Sequence, residues 1–335
     1  MIQACIVVPP PYQNNKIFDL SSSVLNRDNC LFGFYLLKRE FAKIGVNLST
    51  SDISHPNKSS IVIYNEMPQN IPNKRDKSKS YLLLFESELV RPDNWDMEKH
   101  RCFNKIFTWN DKLIDNTKYF KINFPSESLV SISENALNKK RLCTLISGNK
   151  MVDHPLELYS KRIEAVRWFE KNQPTDFDLY GTGWDRYKFT GPRIVKAFNK
   201  IRPLTKFLAP KFPSYQGAVR EKKSILKKYK FCICYENARD ISGYITEKVF
   251  DCFSAGCVPI YWGADNIEEH IPKSCFIDKR DYDSYDDLYA FINAIDDDEY
   301  LLYLRNIENF INGSFFYQFS YEYFIKTIIN TILKK

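Results

Sequence analysis

The sequence predicts an α/β protein of two Rossmann-like domains facing a cleft, and three observations predict it. Short apolar runs of strand length alternate with amphipathic runs of helix length along both halves of the chain. Many of the strand-like runs end in a polar cluster, the place where parallel sheets present ligands. Between the two series lies a polar stretch, residues 126–138, poor in apolar side chains, which reads as a domain linker. The expected units are an N-terminal domain over 1–138, a C-terminal domain over 139–320 and a closing helix over 321–335.

In the first half, residues 4–8 form a strand-like run ended by prolines. Leu31, Phe34, Tyr35, Lys38 and Phe41 then recur at helical spacing, predicting a helix over 31–44 that Gly45 closes. Further strands are expected at 46–48, 60–64, 81–85, 106–109 and 118–120. This opening carries no G-x-G-x-x-G. The runs at 60–64 and 81–85 end at Glu66 and at Glu86, so both ends are candidate site loops.

The second half opens with a strand at 142–146, the loop Ser147 to Lys150, and a helix over 156–171 with one apolar side. Residues 177–180 are the next strand. Asp176 and Asp178 spell a D-x-D, a pattern that can hold a divalent cation on a diphosphate. They open a strand and straddle Phe177 instead of following its carboxyl end, so no metal site is assigned.

The stretch 230–278 is the most informative. Residues 231–235 are a strand, and a cluster of Glu, Asn, Arg, Asp, Ser and Gly ends it. Thr246 is the expected N-cap of a helix that buries Val249, Cys252 and Phe253 and stops at Gly256, and a strand follows at 258–262. This βαβ unit places the loop 236–248 at a strand's carboxyl end beside a helix N-terminus. Such a terminus offers free N–H groups and a positive dipole end, and Lys248 adds a full charge, a combination suited to a nucleotide diphosphate. Glu247 could hold ribose hydroxyls. Helices are expected also at 285–295, 299–310 and 321–333.

Composition excludes several classes. With 44% apolar and 27% charged residues the chain is globular, and no window approaches the ~20 apolar residues a bilayer span needs. The expected location is the cytoplasm, with peripheral contact to the inner face of the membrane. Nine cysteines without any C-x-x-C read as reduced and mostly buried, and the four histidines lack zinc-ligand spacing. Residues 186–230 hold fourteen Lys or Arg against one acid, Glu221, while the whole chain is only +7. The concentrated charge, interleaved with aromatic residues, suits a solvated surface, a nucleic-acid groove or an anionic membrane. No helix-turn-helix, zinc finger or RNP signature accompanies it, so no nucleic-acid partner is expected.

CYENARDISGYITEK at 234–248, SAGCVPIYWGADN at 254–266 and PKSCFID at 272–278 resemble the C-terminal half of the α-1,3-fucosyltransferases, family 10 of the glycosyltransferases. LLLFESE at 82–88 resembles the N-domain F-E-S element of the same family. The resemblance is strongest over 142–278. It implies a GT-B arrangement and GDP-L-fucose as donor substrate, with no cofactor and no metal. It also implies transfer with inversion to a glycan hydroxyl, such as α-1,3 transfer to a GlcNAc or glucose unit of a surface polysaccharide.

Carried over by motif, the donor site is Arg162, Glu236, Asn237, Tyr244, Glu247 and Lys248, with the two cations neutralising the diphosphate. Glu86 is the candidate general base, and Glu88 or Glu66 could serve instead. Two other readings stay open: a transferase of the same fold using another sugar nucleotide, and a carbohydrate-binding scaffold without turnover.

Overall fold

The computed structural model describes residues 1–127, 139, 141–189 and 191–334. Eleven strands among them form two sheets, one in each half of the chain.

The first sheet has the order β2-β1-β3-β4-β5-β6. Its strands are β1 (Ile2–Val7), β2 (Val46–Thr50), β3 (Ile61–Asn65), β4 (Ser80–Leu84), β5 (Lys105–Thr108) and β6 (Tyr119–Lys121), and all of its pairings are parallel. Central parallel strands are covered on both faces, which is why their sequences are nearly unbroken apolar runs. Each residue of β4 is buried. Helix α1 (Phe32–Lys43) buries Leu36, Leu37 and Phe41; of the expected face Leu31 and Phe41 are buried, Phe34 and Lys38 are half-buried and Tyr35 is exposed, so the stripe that meets the core is rotated towards Leu36 and Leu37. A one-turn helix, α2 (Met97–His100), follows β4.

The second sheet has the order β11-β10-β9-β7-β8, again parallel throughout. It contains β7 (Arg141–Ile146), β8 (Phe177–Tyr180), β9 (Tyr229–Tyr235), β10 (Val258–Trp262) and β11 (Ile277–Asp278). Helix α3 (Tyr159–Asn172) packs Ala165, Val166 and Phe169 on this sheet, with Phe169 stacked on Phe177 at 4.7 Å between ring centroids. Between β8 and β9 the chain makes three short helices, α4 (Arg193–Ala197), α5 (Arg202–Phe207) and α6 (Lys222–Leu226). Helix α7 (Glu247–Ser254) joins β9 to β10, and α8 (Tyr285–Ala294) and α9 (Asp297–Asn312) complete the layer.

The closing helix, α10 (Tyr321–Leu333), returns to the first sheet. Phe324, Ile325, Ile328 and Ile332 join the core formed by α1 and the N-terminal strands, and the Tyr81 hydroxyl donates to the Ile332 carbonyl. The chain thus crosses between its halves twice. The expected linker at 126–138 falls mostly on residues 128–138, outside the described residues.

Both sheets change strand order at a switch point, between β1 and β3 in one and between β7 and β9 in the other, and the crevice beyond such points is where open parallel sheets hold ligands. Polar and aromatic contacts join the two halves beside that crevice. Asp111, after β5, pairs with His270 Nε2 at 2.8 Å and accepts from Asn266 Nδ2 at 2.9 Å. The Trp109 ring lies 4.6 Å from that of Tyr244. Gly243 must be a glycine here. Its φ is +80°, and a Cβ would collide with the Trp109 carbonyl of the other half.

Candidate active site

A cavity of about 940 Å³ lies between the halves, lined from the N-terminal side by Phe34, Phe85, Glu86 and Phe124 and from the C-terminal side by Ser147, Lys150, Arg162, Asn237, Tyr244 and Thr246 to Lys248. It therefore opens at strand ends of both sheets, as parallel topology dictates.

Helix α7 begins at its wall. Thr246 stands at the N-cap position with extended backbone, yet its side chain does not cap the helix. Its hydroxyl and its N–H instead donate to the Glu236 carboxylate, at 2.8 and 2.8 Å, and its hydroxyl oxygen accepts from Lys248 Nζ at 2.8 Å in place of a backbone N–H, which leaves the first turn of α7 without a side-chain cap. The unclaimed N–H groups and the positive dipole end are thus available to an anion.

Lys248 Nζ also reaches Glu236, at 2.8 Å, and its side chain stays partly open to the cavity. Burial pulls its pKa down, but the carboxylates of Glu236 and Glu247 outweigh that and hold the ammonium above its ordinary value. It is a permanent cation. Glu247, nearly half exposed, faces Lys222 at 3.6 Å. The ammonium groups of Lys248 and Lys222 overcome its desolvation and hold its carboxyl below the ordinary range, at about 2.

Glu236, expected in the donor site, lies behind the cavity wall instead of on it. It is completely buried, does not line the cavity, and serves as the base on which Lys248 and Thr246 rest. A strand-end carboxylate reads the same in sequence whether it points into a cleft or beneath it. Arg162 is 4% exposed, and its Nη2 donates to the carbonyls of Tyr235 and Glu236 and to Asn237 Oδ1, at 2.6, 2.8 and 3.2 Å. It caps the end of β9 while lining the cavity. Burial lowers its pKa, which no pH of interest reaches. Asn237 Nδ2 lies 3.4 Å from the Tyr244 hydroxyl, and both line the cavity floor.

Glu86 follows β4 on the opposite wall. Its backbone is clamped on both sides: the Glu66 carboxylate accepts from the Glu86 N–H at 3.1 Å, and Asn94 Nδ2 and Trp95 Nε1 donate to its carbonyl at 3.2 and 3.1 Å. The Trp109 indole holds the preceding carbonyl, of Phe85, at 2.7 Å. Burial raises the Glu86 carboxyl above its ordinary value, and the ammonium groups of Lys150 and Lys248 pull it partway back. A carboxyl so tuned accepts protons more readily than a free glutamate.

Glu66 and Glu88, the two alternatives for the base, do not line the cavity. Glu88 is solvent-exposed. Glu66 lies under the Glu86 loop, where burial pushes its carboxyl up to about 7 despite bonds from Asn94, Glu86 and Phe85. Asp176 accepts from the Tyr289 hydroxyl at 2.7 Å and Asp178 from Tyr229 and Gln216 at 2.6 and 2.9 Å, and neither lines the cavity.

Three features escaped the sequence reading. Lys150 stands in the strand-end loop Ser147 to Lys150, where position alone was a signal. Lys222, on α6, pairs with Asp251 at 2.7 Å and with Asp28 of the N-terminal half at 3.8 Å, and accordingly holds its proton more tightly than a free lysine. It sits in a run of bases where nothing distinguishes it. Gly181 has a signal only in retrospect: at φ +130° its α-carbon is packed on the Ser147 carbonyl, so the cavity rim there admits no side chain.

Solved structures similar to this one share its arrangement of two parallel sheets. A crystal structure of an α1,3-fucosyltransferase with GDP superposes with a TM-score of 0.60 at 15% identity, covering 100% of this chain and 91% of that one. An α-glucosyltransferase in complex with UDP-glucose and DNA superposes with a TM-score of 0.58 at 13% identity, covering 99% and 100%. Both likenesses establish the GT-B fold.

By sequence, the chain is 30% identical over 104 residues to the α-(1,3)-fucosyltransferase FucT of Helicobacter pylori, which is 30% of this chain and 22% of that protein. It is 39% identical over 92 residues to GDP-fucose protein O-fucosyltransferase 3 of Xenopus laevis, 27% of this chain and 19% of that protein. The chain spans about a fifth of the length of the curated relatives it matches. Residues 139–314, more than half of the sequence, match the family described as glycosyltransferase family 10 (fucosyltransferase) C-term, and the chain belongs to that family.

Proposed function

We propose that this protein transfers L-fucose from GDP-fucose to a hydroxyl of a glycan acceptor with inversion at the anomeric carbon. The observation that carries the reading is the division of the cavity: Glu86, its backbone clamped, on one wall, and the uncapped start of α7 with the fixed cation Lys248 on the other.

Chemically the two walls suit the two ends of an in-line displacement. The acceptor hydroxyl gives its proton to Glu86 as its oxygen forms the new bond to the anomeric carbon. The bond from that carbon to the diphosphate breaks on the opposite face and leaves GDP. Negative charge growing on the departing oxygens meets Lys248, Arg162 and the dipole of α7, stabilisation that is large in a water-poor cleft. Asn237 and Tyr244 line the floor on which the sugar would rest, and Glu247, half exposed, suits the ribose hydroxyls. With these cations present the proposal needs no divalent ion. The acceptor reading is an α-1,3 linkage to a GlcNAc or glucose unit, supported in its linkage by the likeness to an α-(1,3)-fucosyltransferase.

The test is incubation with a panel of sugar nucleotides, with and without oligosaccharide acceptors. Transfer or slow hydrolysis of GDP-fucose, undiminished by EDTA, is expected. Turnover of another sugar nucleotide alone would replace the donor assignment. Binding of GDP-fucose without turnover on any acceptor would mean a scaffold, and loss of activity in EDTA restored by manganese would reinstate a metal.

A further inference from the structure

Between β8 and β9 the chain leaves the body of the second domain. Across residues 186–211 it carries eight Lys or Arg and no Asp or Glu. All eight bases are exposed, and of residues 193–207, which form α4, α5 and the turn between them, only Thr205 is buried. Large apolar side chains stand among the bases, with Ile194 81% exposed, Phe207 86%, and Tyr187, Phe198, Ile201 and Leu208 between 43% and 47%. Among the described residues Arg186 alone of the eight has a carboxylate within ion-pair distance, its neighbour Asp185.

The segment is nevertheless built. Asn199 bonds both the N–H and the carbonyl of Phe189, at 2.8 and 2.9 Å, and the Tyr187 N–H donates to the Thr205 carbonyl at 2.7 Å. The rings of Tyr187, Phe189 and Phe198 pack on one another. An ordered surface combining unpaired cations with exposed aliphatic and aromatic groups is stable in water only at the cost of that apolar exposure, which marks a docking face. Both feet of the segment stand on the cavity rim: Gly181 and Thr182 precede it, and Lys222 and Lys223 follow it, all lining the cavity.

We propose that residues 186–211 dock on an anionic lipid bilayer, setting the cavity mouth at the headgroup layer where a lipid-carried glycan would present its hydroxyls. Unpaired bases meet the negative surface, and Ile194, Phe198, Phe207 and their neighbours enter the interface between headgroups and acyl chains. A nucleic acid would match the bases but leave Ile194 and Phe207 in water.

The experiment is cosedimentation of the full chain with vesicles of phosphatidylglycerol and phosphatidylcholine in equal parts, against phosphatidylcholine alone, over a range of salt. Binding to the anionic vesicles that weakens with salt is expected, with little on the neutral ones. Replacing Lys196, Arg202 and Lys206 together by Ser should weaken it roughly 100-fold, since each base near such a surface contributes about fivefold. Ile194→Ser with Phe207→Ser should weaken it at least about tenfold at unchanged charge. Melting temperature and GDP affinity, measured on each variant, report folding and the donor site separately. No binding of the parent at low salt, parental binding by both variants, or binding to an oligonucleotide without binding to vesicles would each overturn the proposal.

Discussion

Lys248 is bound to its site by a partner no solvent reaches, so its replacement should be felt in stability as well as in donor affinity. Glu236 is completely buried, and in a Lys248→Met variant its carboxylate keeps only Thr246 as donor. Removing one partner of a buried ion pair costs about 3–5 kcal/mol. Lys248 is a quarter exposed and borders the cavity, so water can enter behind it, which favours the lower end of that range. At about 2–4 °C per kcal/mol for a domain of this size, the melting temperature should fall by about 6–12 °C.

Glu236→Gln keeps the cation and should cost less, and the double variant should be more stable than the sum of the two losses predicts, by about 0.5–3 kcal/mol of coupling. Calorimetry with GDP separates the layers. Lys248→Met loses a charge-assisted contact worth about 1.5–3 kcal/mol, tenfold or more in affinity, whereas Glu236→Gln should lose much less. Parental melting of Lys248→Met would refute the structural role of the pair. GDP affinity as poor in Glu236→Gln as in Lys248→Met would place Glu236 against the donor and refute its position beneath it.

Glu86→Gln should lower kcat by about 10²- to 10⁴-fold with GDP affinity and melting temperature near parental, and a near-parental kcat would remove Glu86 from the chemistry. Because the folded carboxyl is raised, the acidic limb of kcat/KM should lie above the ordinary glutamate range, and Lys150→Ala, which removes one of the cations pulling it down, should move that limb higher still. An unmoved limb would detach Lys150 from the base. Glu66 titrates at about 7 in the folded protein and near 4.5 unfolded, so the folded state binds the extra proton and loses stability as pH rises between those values. Glu66→Gln, which carries no charge to lose, should flatten the melting temperature between pH 5 and 8, a difference of up to about 3 kcal/mol in the parent. An equal pH dependence in the variant would count against it.

The strands and most helices were legible because their signal is local. Parallel strands buried on both faces read as apolar runs, and the spacing of Val249, Cys252 and Phe253 exposes a helix face without knowing what it packs on, whereas the spacing of Leu31, Phe34, Tyr35, Lys38 and Phe41 locates α1 but not its buried Leu36 and Leu37. The partner of a face is another matter. Residues 321–333 announced an amphipathic helix, but nothing local says that Phe324 and Ile328 complete the core of the first sheet, on the far side of the chain from the residues before them. Ends moved by a residue or two for similarly distant reasons. Strand β9 begins at Tyr229, two residues earlier than its apolar run, beside Arg141 of β7 and with the Tyr229 hydroxyl on Asp178.

The site divides along the same line, between what a strand end presents and what lies behind it. Glu86, Asn237, Tyr244, Glu247 and Lys248 line the cavity at strand ends, and residue type with position was enough to place them on its walls. What holds them is nonlocal. Thr246 carries the signature of a helix cap and has the geometry of one, but its hydroxyl donates to a buried carboxylate ten residues earlier and its oxygen accepts from the Lys248 ammonium, a charged donor and a stronger partner than a neutral backbone N–H. The helix start is thereby left open, and an open helix start beside a fixed cation is what an anionic leaving group requires. Glu66 acts likewise on the other wall, holding the N–H of Glu86 and so the backbone that carries that carboxylate. Glu236, which read in sequence as one of the donor residues, and Glu66, which read as an alternative base, are in the structure the supports of Lys248 and of the Glu86 backbone.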